Sequence, residues 1–183
     1  MSDTTNSNAN EQQPSKMKSA LNYGAIMGLV FLVINFCSYL LELGNNKAFS
    51  YGTMALLAVA ISYGIKKYRD EQCSGFLSYG GALGYGVLIT LFSAIIASFG
   101  SYVYLSFIDD SFIQQALEQT EIGMIEQGQT EEVIEMAMSW TKKIMSPIGI
   151  FITGILATTL MGFIVSLIAA AFLKNDPDSF ENA

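Results

Sequence analysis

The sequence predicts an all-α fold: a polytopic membrane protein of four transmembrane helices, with an amphipathic helical hairpin between helices three and four. Three observations carry that expectation. Hydrophobic residues make up 51% of the chain and charged residues only 14%, against about a quarter charged in an ordinary soluble domain. The charges are bunched, so that long uncharged runs separate short charged clusters. Four of those runs are long enough to cross a hydrocarbon core, which takes about 17–25 residues as a helix.

Taken in order, residues 1–19 are polar and lack apolar periodicity, and they are expected to form a disordered cytoplasmic tail ending in Lys16 and Lys18. The run from Ala20 to Leu41 follows, 22 residues long. A secretory signal core is shorter, about 7–15 residues, and no small-residue cleavage site follows this run, so it is expected to stay as the first span. Ala48 to Ile65 forms the second span. Phe76 to Phe107 is uncharged over 32 residues, which as one helix would reach roughly 48 Å against a core of about 30 Å. Gly80, Gly81, Gly84 and Gly86 crowd its first third, so a break or interfacial turn is expected there, with the third span running from about Tyr85 to Phe107. The fourth span, Pro147 to Leu173, opens on a proline, which the first turn of a helix tolerates. Residues 175–183 are expected to be a second short cytoplasmic tail.

Residues 108–146 differ in character. Phe112, Ile113, Ala116 and Leu117 recur at helical spacing, as do Val133, Ile134, Ala137 and Met138. Asp110 or Ser111 is placed to start one helix and Thr130 the other, with Gly123 and Gly128 in the connection. The segment is expected to be an amphipathic hairpin or two extensions of the neighbouring spans. It holds eight Asp or Glu against two Lys. Glu118, Glu121, Glu126, Glu131, Glu132 and Glu135 read as a solvated face.

The cations set the orientation. With the N-terminus in the cytoplasm, Lys16, Lys18, Lys66, Lys67, Arg69 and Lys174 fall inside, and Lys47, Lys142 and Lys143 outside. That bias places both termini in the cytoplasm. Lys66, Lys67 and Arg69 are then expected to anchor the inner interface, where cations also meet anionic lipid. A cytoplasmic binding site built around Arg69 is the rival reading.

Several classes are disfavoured. The chain has no histidine and only two cysteines, Cys37 and Cys73, so neither a metal site, a disulfide framework nor histidine-based catalysis is expected. No phosphate-binding loop, zinc-protease or nucleophile-elbow motif is present, and neither an enzyme nor a cofactor is expected. Nucleic acid needs a basic stripe, which is missing. No ionisable residue lies in the middle of a span, with Glu42 and Asp109 at the ends. Ion- and proton-coupled transporters generally need such groups.

The spans do carry small residues at four-residue spacing. Gly24 and Gly28 form one stripe, Ser93, Ala97 and Ser101 a second, and Gly154, Thr158, Gly162, Ser166 and Ala170 a third. Small residues let helix backbones approach in lipid. The stripes are expected to pack the four spans on one another, with a homo-oligomer interface as the alternative. Asn35 lies well inside span one and is expected to hydrogen-bond a serine or threonine of a neighbouring helix. Asn35, Thr90, Gly80 and Gly84 are the candidates for a pocket.

The stretches "GIKKYRDEQCSGFLSYGGALGYG", "YVYLSFIDDSFI" and "SPIGIFITGILATTLMGFIVSLIAAAFLK" together resemble the bacterial membrane proteins of domain-of-unknown-function family 4199. The most specific parts are Tyr68-Arg69-Asp70 and the Leu77-Ser78-Tyr79-Gly80 turn. The resemblance implies a four-helix protein of the bacterial cell (inner) membrane, with no assigned activity and no catalytic residues to carry over. Family members often place a lysine just after the turn, whereas Gly81 to Gly86 are uncharged here. The expected function is non-enzymatic, through helix packing with membrane lipid, with a second copy as a homo-oligomer, or with another membrane protein. The alternative is small-molecule or lipid transport or handling through a pocket between spans one and three.

Overall fold

The computed structural model describes residues 16–41, 43, 46–108 and 110–175, with Phe112 described by its backbone alone. The expected tails at 1–15 and 176–183, Glu42 and Asp109 lie outside the described residues. Six helices run in order: α1 Lys16–Leu40, α2 Lys47–Gln72, α3 Tyr79–Phe107, α4 Ser111–Glu126, α5 Glu131–Ile144 and α6 Pro147–Leu173. No strand occurs among the described residues, although Leu77 and Asn175 form an isolated antiparallel bridge. Helices α1, α2, α3 and α6 are each long and apolar enough to cross a membrane.

Helix α3 is the axis of the bundle, packing most extensively on α6 and on α1. The register follows from small residues. Along the antiparallel α3–α6 contact, Gly86 meets Ser166, Gly162 meets Thr90 and Gly154 meets Ser98. Along the parallel α1–α3 contact, Gly24 faces Ile89 to Ser93, Gly28 faces Ser93 and Ile96, and Gly100 faces Leu32. Backbone-to-backbone approach of this kind maximises dispersion where lipid offers no hydrophobic drive. Helix α2 lies against α6 and α3 and buries Leu57, Ile61 and Ile65. Its contact with α1 is less extensive and runs through Tyr23, whose hydroxyl donates to the Ala60 carbonyl at 3.3 Å.

Three expectations are corrected. Helix α3 does not break at its glycines: it starts at Tyr79 rather than Tyr85 and continues unbroken. The chain turns earlier, at Ser74 and Gly75, which have φ of 51° and 84°. Ser78 then caps the helix by accepting from Gly81 N–H at 3.2 Å. Helix propensity penalises each glycine by only about 1 kcal/mol, which close contact with Ser166 at Gly86 offsets. Likewise α1 begins at Lys16 rather than Ala20, and α2 continues past Ile65 to Gln72, so the charged cluster occupies the last turns of a helix and not a loop.

The segment between α3 and α6 forms a hairpin of two distinct helices. Asp110 and Thr130 occupy the N-cap positions without a side-chain cap bond. Gly128 takes a φ of 71° in the connection, a left-handed conformation that glycine adopts without strain. All six of the acidic residues expected on a solvated face are exposed. At the start of α6, Ser146 accepts from Gly149 N–H at 3.1 Å, with Pro147 in the first turn.

Candidate functional site

The bundle has two distinct ends. At one, the chain is tied by polar contacts between elements remote in sequence. Arg69 donates through Nη1 to the Leu173 carbonyl at 3.0 Å and through Nε to Asp70 Oδ1 at 2.8 Å. A guanidinium at a helix C-terminus satisfies a last-turn carbonyl and opposes the negative end of the helix dipole. Leu77 and Asn175 exchange backbone hydrogen bonds, each 2.9 Å, and Asn175 Nδ2 donates to the Gly75 carbonyl at 2.9 Å. Gln72 Nε2 donates to Ser19 Oγ at 2.9 Å, and Ser19 in turn pairs with Tyr85 Oη at 2.9 Å. The ring of Tyr85 stacks on Tyr68 at 3.9 Å between centroids.

Arg69 is thus a clasp between α2 and α6. Lys66 and Lys67 are exposed. Lys67 approaches Glu71 at 4.0 Å, a surface pair that contributes little.

At the other end lies a cavity of about 1000 Å³. It sits between α1, α2, α3 and α6, and α4 runs across it. Phe31, Asn35 and Ser38 line it from α1, Ser50 and Thr53 from α2, and Ser93, Ala97 and Tyr104 from α3. Ser111, Gln115 and Gln119 line it from α4, and Thr158 from α6. Helix α1 packs far more extensively on α3 than on α2, and side chains of α4 contribute to the cavity wall. None of the described lining residues is Asp, Glu, Lys or Arg. Such walls can hydrogen-bond a neutral polar group and bury an aliphatic or aromatic body. They offer no counter-ion to a charged ligand.

The residues expected to share a pocket do not. Asn35 lines the cavity, and its Nδ2 donates to the Phe31 carbonyl of its own helix at 2.8 Å rather than to a neighbouring helix. Thr90 is fully buried, donates to the Gly86 carbonyl at 2.8 Å and abuts Gly162. Gly84 lies beside Lys16 Nζ, and Gly80 faces open space. Because α3 is unbroken and Leu32 already stands level with Gly100, Asn35 is about 24 Å or more from Gly84 along the helix axis.

Of the small-residue stripes, Gly24, Gly28 and Ser93 meet between α1 and α3. Gly154, Gly162 and Ser166 meet α3, whereas Ala97 and Thr158 face the cavity. The α4 residues of the cavity wall were missed by sequence reasoning. Their signal is a run of uncharged polar residues at four-residue spacing, Ser111, Gln115 and Gln119, in a segment whose other polar positions are mostly acidic.

Among the described residues no cluster of three or more His, Cys, Asp or Glu could hold a metal ion. The fold defines an all-α protein whose four longest helices are long and apolar enough to cross a membrane, packed around α3, with a cavity at the α4 end whose described lining is uncharged. The family described as "Protein of unknown function (DUF4199)" matches residues 22–175, and the chain belongs to it. No curated protein and no solved structure matches the chain.

Proposed function

We propose that this is a multi-pass membrane protein that binds a neutral amphiphile, a lipid or a lipid-like small molecule, in the cavity roofed by α4. The cavity wall carries this reading: about 1000 Å³ of space faced by amides, hydroxyls and aromatic rings, with no fixed charge among the described residues. That volume is at the upper end of the range for small-molecule sites, roughly 300–1,000 Å³. Gly24, Gly28, Gly154 and Gly162 are occupied inside the bundle, in keeping with packing of the spans on one another, so the alternative of a homo-oligomer interface draws no support from them.

Native mass spectrometry of the protein released gently from its own membrane tests the proposal. One defined neutral molecule retained per chain is the expected result, and a chain that carries nothing would sink it. Asn35→Leu is expected to weaken retention about tenfold, since one hydrogen bond is worth about 1–1.5 kcal/mol. Thermal stability should barely change, because the Asn35 amide ties only to its own helix.

The proposed orientation keeps both termini cytoplasmic and puts the cavity in the outer half of the bilayer, following the excess of cations at the Arg69 end. With Cys37 and Cys73 replaced by serine, Gln127→Cys in the exposed α4–α5 connection should react with an impermeant thiol reagent added from outside. Reaction only from the cytoplasmic side would invert the topology.

A further inference from the structure

Helix α5 carries two apolar faces, and the protein uses one of them. Met138 is buried and Ile134 half-buried, on the inward side. Val133, Met136, Trp140 and Ile144 recur at intervals of three and four on another face and are 45%, 62%, 62% and 53% exposed. A hairpin standing free in water would place polar side chains there. Glu131 and Glu135 instead project from the far side of the helix by the 3.6-residue period, and Glu132 borders the apolar face one turn before Met136.

We propose that α5 is an interfacial helix. Its Val133–Met136–Trp140–Ile144 face lies in the headgroup–acyl boundary of the bilayer that α6 crosses. This rests on the membrane-spanning reading of α6.

Two observations name lipid as the occupant. The first is continuity. Only Met145 and Ser146 separate α5 from α6, and exposed apolar residues resume at once on α6 with Ile148, Ile152, Leu156 and Leu160. A bilayer that receives this α6 face begins where the α5 face ends. The second is the placement of charge and indole. Lys142 and Lys143 fill the last turn of α5, at the junction, and Lys143 Nζ lies 5.0 Å from the centroid of the Trp140 ring. Indole rings concentrate at the headgroup level of membranes, and a lysine beside one can lay its stem on apolar surface while its ammonium reaches phosphate. Glu131 and Glu135 point away from that phosphate layer. This is the arrangement of a helix lying in an interface plane rather than crossing it.

Trp140 is the chain's one tryptophan, so the protein carries its own probe. The experiment is fluorescence of the full chain in phosphatidylcholine vesicles, with brominated lipids and aqueous iodide as quenchers. Lipids brominated near the head of the acyl chain should quench Trp140 at least about twofold more than those brominated near its tail, with iodide nearly without effect. Met136→Lys, at a position already exposed, should raise iodide quenching with helical content unchanged.

Strong iodide quenching of the wild-type chain without bromolipid quenching would place the face in water and overturn the proposal. Shielding from both quenchers, lost when the protein is diluted in lipid, would assign the face to a second copy and overturn it too. A companion chain, Trp140→Phe with Leu160→Trp, separates the two readings. If its indole in mid-α6 is quenched from within the bilayer while that of Trp140 is not, the span stands and the α5 assignment falls. If neither is quenched, both fall.

Discussion

Replacing Gly162 by leucine is expected to take the bundle apart, not to loosen an assembly of bundles. A Cβ added at Gly162 would overlap Thr90 Cγ2 and lie 2.6 Å from Thr90 Cβ. Rotating Thr90 about χ1 does not help, because its Cβ is fixed to the backbone and its hydroxyl is committed to the Gly86 carbonyl at 2.8 Å. The helices must separate. Gly162→Ala should therefore destabilise by about 1–3 kcal/mol, even though alanine is the better helix former by about 1 kcal/mol. Leucine should prevent stable folding altogether. Thermal unfolding in detergent reads the alanine variant, and accumulation of folded protein the leucine variant. The assignment to α3 has its own control: Thr90→Gly should partly rescue Gly162→Ala, whereas Thr90→Ser, which keeps the Cβ, should not. A leucine variant as stable as wild type that merely lost dimers would return this stripe to an interface between copies.

The second large effect is expected at Gly24. Here the obstacle is backbone: an added Cβ would meet the Ile89 carbonyl oxygen and Phe92 Cβ, each at 2.8 Å. No rotamer can move a carbonyl that already accepts within its own helix. Gly24→Leu should detach α1 from α3, open the bundle along its second most extensive contact and expose α1 to protease in detergent. Gly52→Leu is the comparison, since a Cβ there meets nothing within 4 Å. It should leave stability unchanged or raise it slightly. Equal sensitivity of the two sites would show that glycine is needed for something other than the close approach of α1 to α3.

These contrasts bear on what was legible beforehand. That Gly24, Gly28, Gly154 and Gly162 serve close packing is readable from four-residue spacing in an apolar helix. Which helix each one meets is not, because a small-residue stripe states only that something approaches. Asn35 could be named as a pocket residue because an amide in an apolar span is conspicuous. Thr90 is equally conspicuous, yet it belongs to a helix contact. The glycines from Gly80 to Gly86 look like a break because glycine is a poor helix former, yet the cost is only about 1 kcal/mol each, and Gly86 packs closely on Ser166 and Ile65 of two other helices. Arg69 reads as one of three anchoring cations, and only its reach to the Leu173 carbonyl distinguishes it from Lys66 and Lys67.

By itself the sequence determined the all-α class, the four helices long enough to cross a membrane, the hairpin between the last two and the family. Each of these depends on properties local to the chain: run length, periodicity and a short characteristic motif. Tertiary structure alone decided that α3 is the axis, that α2 packs more on α6 than on α1, and that α4 side chains line the cavity. It also turned the charged cluster into a clasp and left one face of α5 without a protein partner. These outcomes depend on which surfaces fit closest over distances of tens of residues. Dispersion and steric exclusion settle that contact by contact, and neither leaves a periodic mark on the chain.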